Sequence, residues 1–438
     1  MPRHRLHLIV AVVTLLPRAV TGQSSHTLPP LAQQQQARAI LKELVEINTV
    51  GDSGAPPAAE ALARRLKAGG FQSGDVTLVG PRPKKQNLVV RLRGRDKKKP
   101  ILFIAHLDVV QARREDWSVD PFQLTERDGY FYGRGTFDIK DEAADLIANL
   151  LRLRREGYVP ERDIIAALTD DEEGGDYNGA AWLTEHRPDL IRAEYVINTD
   201  AGGAQMRNGQ RPRNPVQTSE KLRGLDRLSR YDFPVRLTAT TRAFFQRLAV
   251  QETDSVARDL RAVTQEPPDS NAIQRLSTVP MYNSSMRNTC VATMLEAGHA
   301  ENALPQRARA TVQCRILPGD TPEQVRDTLI RVLADSSIQV TQLGERQAAP
   351  ESPLLPELMG AVERVTRSMW PGVVVLPVMD PWSTDGRHFR LAGYPVYGIS
   401  GVFYDIDDVR AHGKDERVSI QSFYEGVEFM YRLMKELT

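Results

Sequence analysis

Three short apolar stretches of the sequence end abruptly in acidic or imidazole side chains, and this pattern constrains the fold more than any other feature. The stretches and the polar residues after them are IIAAL at 164–168 with DDEE at 170–173, ILFIA at 101–105 with His106 and Asp108, and YVIN at 195–198 with Asp200. Short apolar runs bounded by turn signals are typical of buried strands. Ligands of open α/β sheets bind beyond the carboxyl ends of the strands, so the pattern predicts a shared crevice there.

The acidic run at 170–173 has two interpretations. Four adjacent carboxylates repel one another, and the repulsion is tolerated if the side chains are solvated or if cations lie among them. For this run alone, a solvated acidic loop is the simpler interpretation. The other two strand ends bring an imidazole and further carboxylates to the same crevice, which favours a cation site.

Composition sets the class of protein. The chain has 438 residues, of which 41% are apolar, so it can bury a large core and form about two or three domains. Its net charge of +1 argues against electrostatic binding of nucleic acid. The two cysteines, Cys290 and Cys314, are too few for a structural zinc cluster. Each lies in an apolar run, so we predict two buried thiols, with a cross-strand disulfide as the alternative.

The first 22 residues are predicted to be an export signal. Arg3 and Arg5 supply a charged start, residues 8–16 are apolar, and small residues at 20–22 allow cleavage. An uncleaved anchor is the alternative, but the apolar stretch is well below the roughly 20 residues that span a bilayer. We therefore expect a periplasmic or secreted protein without a membrane attachment after signal removal.

The rest of the chain divides by its patterning. Residues 23–36 are polar, contain two prolines and four consecutive glutamines, and are predicted to be a flexible leader. Alternating strand and helix patterns occupy 37–206 and return in 318–438, which predicts one α/β domain. The composition shifts between these parts, so residues 207–317 are predicted to be an inserted second domain.

The polar side chains of the predicted crevice add up to a two-metal site. Two neighbouring divalent cations need a bridging carboxylate and nitrogen or oxygen ligands on each side. Five side chains would supply these ligands: His106, Asp138, Glu173, Asp200 and His412. Imidazole and carboxylate without thiolate suit Zn²⁺, with Co²⁺ and Mn²⁺ as alternatives.

Three acidic residues receive more specific predictions. Asp138 lies where a glycine-containing loop meets a helical pattern, so the alternative to a metal ligand is a helix N-cap. Asp108 lies two residues after His106 and is placed to orient that imidazole. Glu172 neighbours a ligand but points elsewhere, and we predict that it is the general base for the attacking water.

Five motifs occur in order: HLDVV at 106–110, GRGTFDIKD at 133–141, DEEGG at 171–175, the strand end at Asp200, and AHGKDERV at 411–418. With them, the chain from about residue 37 onward resembles the M20 family of metallopeptidases, which includes carboxypeptidases, dipeptidases, aminoacylases and deacetylases. The resemblance implies a doubly wound α/β catalytic domain with two Zn²⁺, interrupted by a smaller α+β lid domain that usually dimerises.

The resemblance also implies a role for each ligand. His106 and Asp200 would hold one metal, Glu173 and His412 the other, and Asp138 would bridge them. Glu172 would be the proton shuttle, with Asp108 supporting His106.

Two further residues match lid positions that contact the substrate. Arg315 matches the lid arginine that binds a substrate carboxylate, a task that suits the bidentate guanidinium. The alternative is a surface charge, which is the commoner role of a lone arginine on a strand. Asn302 matches a lid position near the substrate.

The lid departs from the family pattern. Relatives usually have a GGHSS-like turn whose histidine crosses the dimer to polarise the scissile carbonyl, whereas residues 216–234 contain no histidine. The lid is therefore predicted to be shortened. Loss of one electrophilic donor lowers the rate by roughly 10²–10³. The change also weakens the expectation of a homodimer and makes a monomer the alternative.

The sequence therefore predicts a zinc-dependent exopeptidase, a carboxypeptidase or dipeptidase, that hydrolyses an amide bond next to a free carboxylate. An N-acyl-amino-acid amidohydrolase is the alternative within the same class, since it uses the same machinery. A metal-binding but catalytically silent homologue is the alternative of another class, because the lid histidine is missing. The intact Glu172 counts against silence.

Overall fold

The computed structural model of this chain describes residues 27–51, 54–207, 209–220, 222–224, 231–297, 308–333, 338–343, 348–380 and 384–438. These ranges contain thirteen α-helices: α1 (Leu31–Glu46), α2 (Pro56–Ala68), α3 (Lys140–Arg155), α4 (Gly179–His186), α5 (Pro188–Ile191), α6 (Ala239–Gln251), α7 (Asp254–Ala262), α8 (Ser270–Leu276), α9 (Pro280–Met286), α10 (Pro322–Leu333), α11 (Pro356–Met369), α12 (Gly386–Leu391) and α13 (Ile420–Leu437). None of the helices in these ranges is long and apolar enough to cross a bilayer.

The same ranges contain sixteen strands: β1 (Val76–Arg82), β2 (Lys85–Leu92), β3 (Ile101–His106), β4 (Thr125–Arg127), β5 (Tyr130–Tyr132), β6 (Ile164–Thr169), β7 (Tyr195–Asn198), β8 (Ala204–Arg207), β9 (Gln210–Glu220), β10 (Leu222–Gly224), β11 (Thr289–Ala297), β12 (Ala308–Ile316), β13 (Val374–Asp380), β14 (Val396–Gly398), β15 (Phe403–Asp405) and β16 (Arg417–Ser419). The three strands predicted from the apolar runs are thereby confirmed as β3, β6 and β7.

One mixed sheet of ten strands organises the described part of the chain. Its order is β1-β2-β6-β3-β7-β14-β9-β8-β15, with β13 paired to β9. Strand β3 runs parallel to both β6 and β7, and Ile104 lies in register with Ala167 and Asn198. Parallel strands in register end at the same edge, so the polar residues that follow these three strands meet there.

The central strands are apolar throughout because both faces of the sheet are covered. Phe103 of β3 belongs to a core cluster with Leu146 of α3, while Ile104 belongs to a second cluster with Leu183 of α4. Alternate residues of a strand point to opposite faces, and helices cover each face. The predicted α/β class with helices on both sides of the sheet is confirmed.

The first helix begins inside the segment that was predicted to be a flexible leader. Helix α1 begins at Leu31, so the glutamine run at 33–36 is helical rather than part of a leader that extends to residue 36. Glutamine is a good helix former, and Arg155 of α3 donates hydrogen bonds to Gln33 and Gln36. Sequence periodicity missed this turn because its side chains are polar.

The stretch predicted as an inserted domain contributes to two sheets. Strand β9 lies in the large sheet and pairs with β13 in parallel. Helices α6 to α9 pack on that part of the sheet, since Phe245, Leu248 and Met286 share a core cluster with Leu376 of β13. The chain then forms a separate antiparallel sheet in the order β10-β12-β11. The boundaries of 207 and 317 stay a prediction.

The two cysteines form a disulfide, so the prediction of two free thiols was wrong. Cys290 of β11 lies directly opposite Cys314 of β12, with their Cα atoms 4.0 Å apart. Directly opposed residues of an antiparallel pair bring their Cβ atoms within bonding reach of two sulfur atoms. The sequence places both residues on strands, but the register that opposes them is visible only in the structure.

We expect reduction of this disulfide to destabilise the small sheet. The bond closes a loop with a sequence separation of 24 residues, for which loop-closure entropy predicts a loss of about 3 kcal/mol on cleavage. The measurement is guanidinium denaturation of the oxidised wild type, the reduced wild type and Cys290→Ser with Cys314→Ser. Identical transitions for all three proteins would contradict the prediction.

Candidate metal centre

The site lies at the edge of the large sheet where β3, β6 and β7 end. His106 is the last residue of β3 and lies in register with Thr169, the last residue of β6. Glu172 and Glu173 follow Thr169, and Asp200 follows β7. The sheet thus gathers residues that are far apart in the chain, as the sequence pattern predicts.

Asp138 lies at the centre of the site. Its Oδ1 is 3.2 Å from Nε2 of His106, and its Oδ2 is 3.0 Å from Nε2 of His412. The N-cap alternative for Asp138 is wrong, because Ile139 occupies the N-cap position of α3 and no side chain caps that helix. The two carboxylate oxygens instead face two imidazoles on opposite sides.

Two three-residue groups share this carboxylate. His106, Asp138 and Asp200 form one group, and Asp138, Glu173 and His412 form the other, with the donor atoms of each group within 4.8 Å of one another. Glu173 Oε2 lies 3.0 Å from His412 Nε2. Nitrogen and carboxylate donors in this arrangement fit two divalent cations with one bridging ligand.

A third acidic group nearby already has a cation. Asp108, Asp170 and Asp171 also bring donor atoms within 4.8 Å. Lys85 forms an ion pair with Asp171, and its Nζ lies 4.0 Å from Asp170. The ammonium group therefore compensates part of the negative charge of this group, and its contacts brace the turn that leads to Glu172.

The charges of the site favour cations. Burial, together with the nearby carboxylates, raises the pKa of Glu172 and of Asp200 well above the usual range. Hydrogen bonds to Asp138 and Glu173 raise the pKa of His412 to about 10. Each shift means that the site attracts positive charge, and bound divalent cations would relieve the repulsion in place of protons.

Asp108 supports the site in two ways. Its backbone carbonyl accepts a hydrogen bond from Nδ1 of His106 at 3.0 Å, which directs Nε2 of that imidazole towards Asp138. Its carboxylate accepts the backbone N–H groups of Glu172 and Glu173 at 3.2 and 3.0 Å. Asp108 thus contacts His106, as predicted, and it also holds the backbone of the acidic loop.

Glu172 projects into the site from this loop. Its Oε2 lies 4.0 Å from Nε2 of His106, and 15% of its side chain is exposed. Neither of the two groups that share Asp138 includes it. A carboxylate in this position, beside the ligands but outside both groups, would be free of the metals and able to take up a proton.

Sequence reasoning missed Arg134 and Glu416, which join two of the motifs. Glu416 is fully buried and accepts backbone N–H groups from Gly135, Phe137 and Asp138 at 3.0–3.1 Å. It also pairs with Arg134, whose Nη2 donates to the Gly413 carbonyl at 3.0 Å. The loop of Asp138 and the turn of His412 are thereby held together. Both residues lie within the quoted motifs, but their pairing has no signal in the sequence.

Asp385 is a second residue that the sequence did not reveal. It is buried before α12 and accepts hydrogen bonds of 2.6 Å from Thr169 Oγ1 and from Asn178 Nδ2. Thr169 and Asn178 flank the acidic loop on both sides. Asp385 therefore fixes the two ends of the loop that presents Glu172 and Glu173.

The two predicted substrate-binding residues have different outcomes. Arg315 lies on β12 and lines a cavity of about 640 Å³ between the small sheet and the large sheet. Asn302 lies outside the residues that the structure describes.

Known proteins with similar sequences support the resemblance. The model of peptidase family M20/M25/M40 matches residues 102–436. The human N-fatty-acyl-amino acid synthase/hydrolase PM20D1 is 28% identical over 372 residues, which cover 77% of this chain and 74% of that protein. Human aminoacylase-1 is 27% identical over 350 residues, covering 77% and 79%.

Solved structures show the same fold. An M20 family metallo-carboxypeptidase from Sulfolobus solfataricus superposes with a TM-score of 0.68 at 16% identity, covering 92% of this chain and 99% of that one. A dinuclear metal binding peptidase of the M20 family from Bacillus subtilis gives 0.58 at 12% identity, covering 92% and 97%. The predicted doubly wound fold is confirmed.

The M20 family depends on a dinuclear metal centre, and its members include metallopeptidases and amidohydrolases. The family model extends over most of the chain, including all five motifs from His106 onward. The sequence match and the shared fold agree, so the chain is a hydrolase that belongs to peptidase family M20/M25/M40.

Proposed function

We propose that this protein hydrolyses an amide bond next to a free carboxylate by means of two Zn²⁺ ions. The observation that supports this proposal best is the carboxylate of Asp138, whose two oxygens face His106 and His412. Asp200 would complete one metal site and Glu173 the other. Zn²⁺ suits these nitrogen and oxygen donors, and Co²⁺ and Mn²⁺ are the alternatives.

Each side chain of the site has a task in this reaction. When bound, two divalent cations activate water and polarise a carbonyl group. Glu172 takes a proton from the attacking water at its carboxylate and delivers it to the leaving amine. Asp108 keeps Glu172 in reach by holding its backbone N–H. Arg315 binds the free carboxylate of the substrate through its two-pronged guanidinium.

N-acyl amino acids are the substrate class that the relatives favour. Two proteins that match over three quarters of the chain are an N-fatty-acyl-amino acid hydrolase and an aminoacylase. The exopeptidase, which was the first prediction from the sequence, becomes the second candidate, since a small peptide presents the same amide next to a free carboxylate. The similar carboxypeptidase fold supports it only at the level of architecture.

The remaining parts of the proposal rest on the sequence. We infer export through residues 1–22, which lie outside the described range. Asn302 is proposed to contact the substrate from the lid. The lid lacks the usual histidine turn, so we infer that a homodimer is weakened and that the protein acts with fewer electrophilic groups than its relatives.

The test is hydrolysis of N-acyl amino acids and dipeptides by the mature protein, before and after removal of metal with a chelator. We expect turnover that disappears in the metal-free protein and returns with Zn²⁺, since both ligand groups need a cation to act. Matching amides without a free carboxylate are the control and should remain intact. Two bound metals without turnover of any substrate would instead establish the catalytically silent homologue.

A further inference from the structure

The turn that carries Glu172 begins with a residue in an unusual backbone conformation. Asp171, directly before Glu172, has a φ of 64°, in the left-handed region that residues with a Cβ rarely adopt. A residue in this region costs free energy and persists only where its surroundings hold it, and such residues cluster at functional sites. The backbone of Asp171 sets the direction in which the chain continues. Contacts that hold Asp171 therefore also decide where Glu172 points.

The side chain of Asp171 is held by three neighbours. Its carboxylate forms an ion pair with the ammonium group of Lys85. It also accepts the backbone N–H of Tyr177 at 3.2 Å. Gly175 packs so closely against it that a Cβ at that position would overlap the carboxylate oxygens. Asp171 is only 3% exposed, so its negative charge depends on these partners rather than on water.

Lys85 is the cation among these contacts, and it comes from a different element. It is the first residue of β2 and is buried. Its Nζ donates to the Gly51 carbonyl at 2.9 Å and lies 4.0 Å from Asp170. Lys85 thus ties β2 and the segment that ends at Gly51 to the acidic loop. None of the five sequence motifs includes Lys85.

The two backbone groups after Asp171 point at Asp108. The N–H groups of Glu172 and Glu173 donate to its carboxylate at 3.2 and 3.0 Å. Rotation about φ of Asp171 would swing both groups away from that carboxylate, since the whole chain after this bond turns with it. In the observed conformation, Oε2 of Glu172 lies 4.0 Å from Nε2 of His106. One backbone angle therefore governs the distance between the predicted base and the metal centre.

We propose that Lys85 is a positioning residue for Glu172. Its ammonium group holds Asp171 in the left-handed conformation, and this conformation aims the carboxylate of Glu172 at the metal centre. The inference rests on the proposed function, in which Glu172 takes a proton from water and delivers it to the leaving amine. Without the ammonium group, the buried carboxylate of Asp171 has no cation, and the turn relaxes to a less strained conformation. Glu172 then loses its alignment with the leaving amine.

The first test compares Lys85→Met with the wild type on an amide and on the matching ester. N-acetylalanine and O-acetyllactate share the acetyl group and the free carboxylate, but only the amide nitrogen must gain a proton before it leaves. At saturating Zn²⁺, the ratio of kcat/KM for the amide over the ester should fall by at least about 10-fold, because proton transfer contributes roughly 10²–10⁴-fold. An unchanged ratio would overturn the inference, since loss of folded protein lowers both rates equally.

Two further variants separate positioning from stability. Lys84→Met removes a neighbouring exposed lysine and should keep the wild-type ratio. The double variant Lys85→Met with Asp171→Asn leaves no unpaired charge buried, and asparagine tolerates the left-handed conformation. We expect it to melt above Lys85→Met, but its ratio should stay about 10-fold low because no ion pair holds the turn. It also replaces Lys85→Met if that protein does not fold. A wild-type ratio in the double variant would overturn the inference, since Lys85 would then only compensate the charge of Asp171.

Hydrogen exchange distinguishes a failed inference from a failed function. The N–H groups of Glu172 and Glu173 are bonded to Asp108, so their exchange reports whether the turn is held. Exchange in residues 170–178 should be at least about 10-fold faster in Lys85→Met than in the wild type and in Lys84→Met. Faster exchange in a protein that hydrolyses neither substrate would reject the hydrolase but support the hold of Lys85 on the turn. Equal exchange in the three proteins would reject that hold whatever the activity.

Discussion

Glu172→Gln is expected to lower kcat/KM by about 10³-fold while both metals remain bound, within the range that general bases contribute. Glutamine keeps the size of the side chain but cannot take a proton from water. The five proposed metal ligands are unchanged, and the backbone N–H at position 172 can still bind Asp108. Activity and metal content should therefore separate in this variant.

The control for this prediction is Asp176→Asn. Asp176 lies in the same loop and is exposed, and neither metal-ligand group includes it. Asp176→Asn removes one carboxylate from the same loop as Glu172→Gln. Any effect that comes only from the loss of a negative charge should therefore appear in both variants. Steady-state kinetics with metal analysis of both variants are the measurements. Wild-type activity in Glu172→Gln would reject its role as the base.

Asp138→Asn should have the second large effect, because it acts on both metal positions at once. The asparagine side chain of this variant would retain one carbonyl oxygen, whereas the carboxylate of Asp138 offers one oxygen to each imidazole. Removal of a group that only holds a metal ligand in place lowers metal affinity or activity by roughly 10–100-fold. Loss of a ligand that both metals share should therefore lower activity by more than about 10²-fold.

Asp200→Asn is the matched comparison, since Asp200 belongs to only one of the two groups. We expect metal analysis to show that one position is weakened in Asp200→Asn and that both are weakened in Asp138→Asn. The rise in melting temperature on addition of Zn²⁺ gives an independent measure, because ligand binding to the native state stabilises it. An equal loss of metal in the two variants would contradict the shared role of Asp138.

Residues 216–234 contain no histidine, and this bears on the reaction rate to expect. In the described residues the small sheet still forms from β10, β11 and β12, with Cys290 and Cys314 joined across two of its strands. The segment that is predicted to be a shortened lid therefore includes a folded sheet, and Arg315 of this sheet lines the cavity. If the hydrolase is active, the groups at the metal centre suffice for the reaction at a reduced rate.

Sequence by itself determined the elements that depend on local patterning. Strands β3, β6 and β7 follow from short apolar runs that end in polar side chains. The residue types at the strand ends also indicated a metal centre, since each ligand stands beside a recognisable element. Local patterning failed at α1, where polar glutamines form a helical turn.

Only the tertiary structure decided which distant side chains meet. The disulfide depends on the register of β11 with β12, and the pairing of Arg134 with Glu416 joins residues that are 282 positions apart. The two-sided environment of Asp138 requires the ends of several elements to converge within a few ångströms. Periodicity reports which face of an element is buried, but contacts between elements arise from packing, which no local pattern encodes.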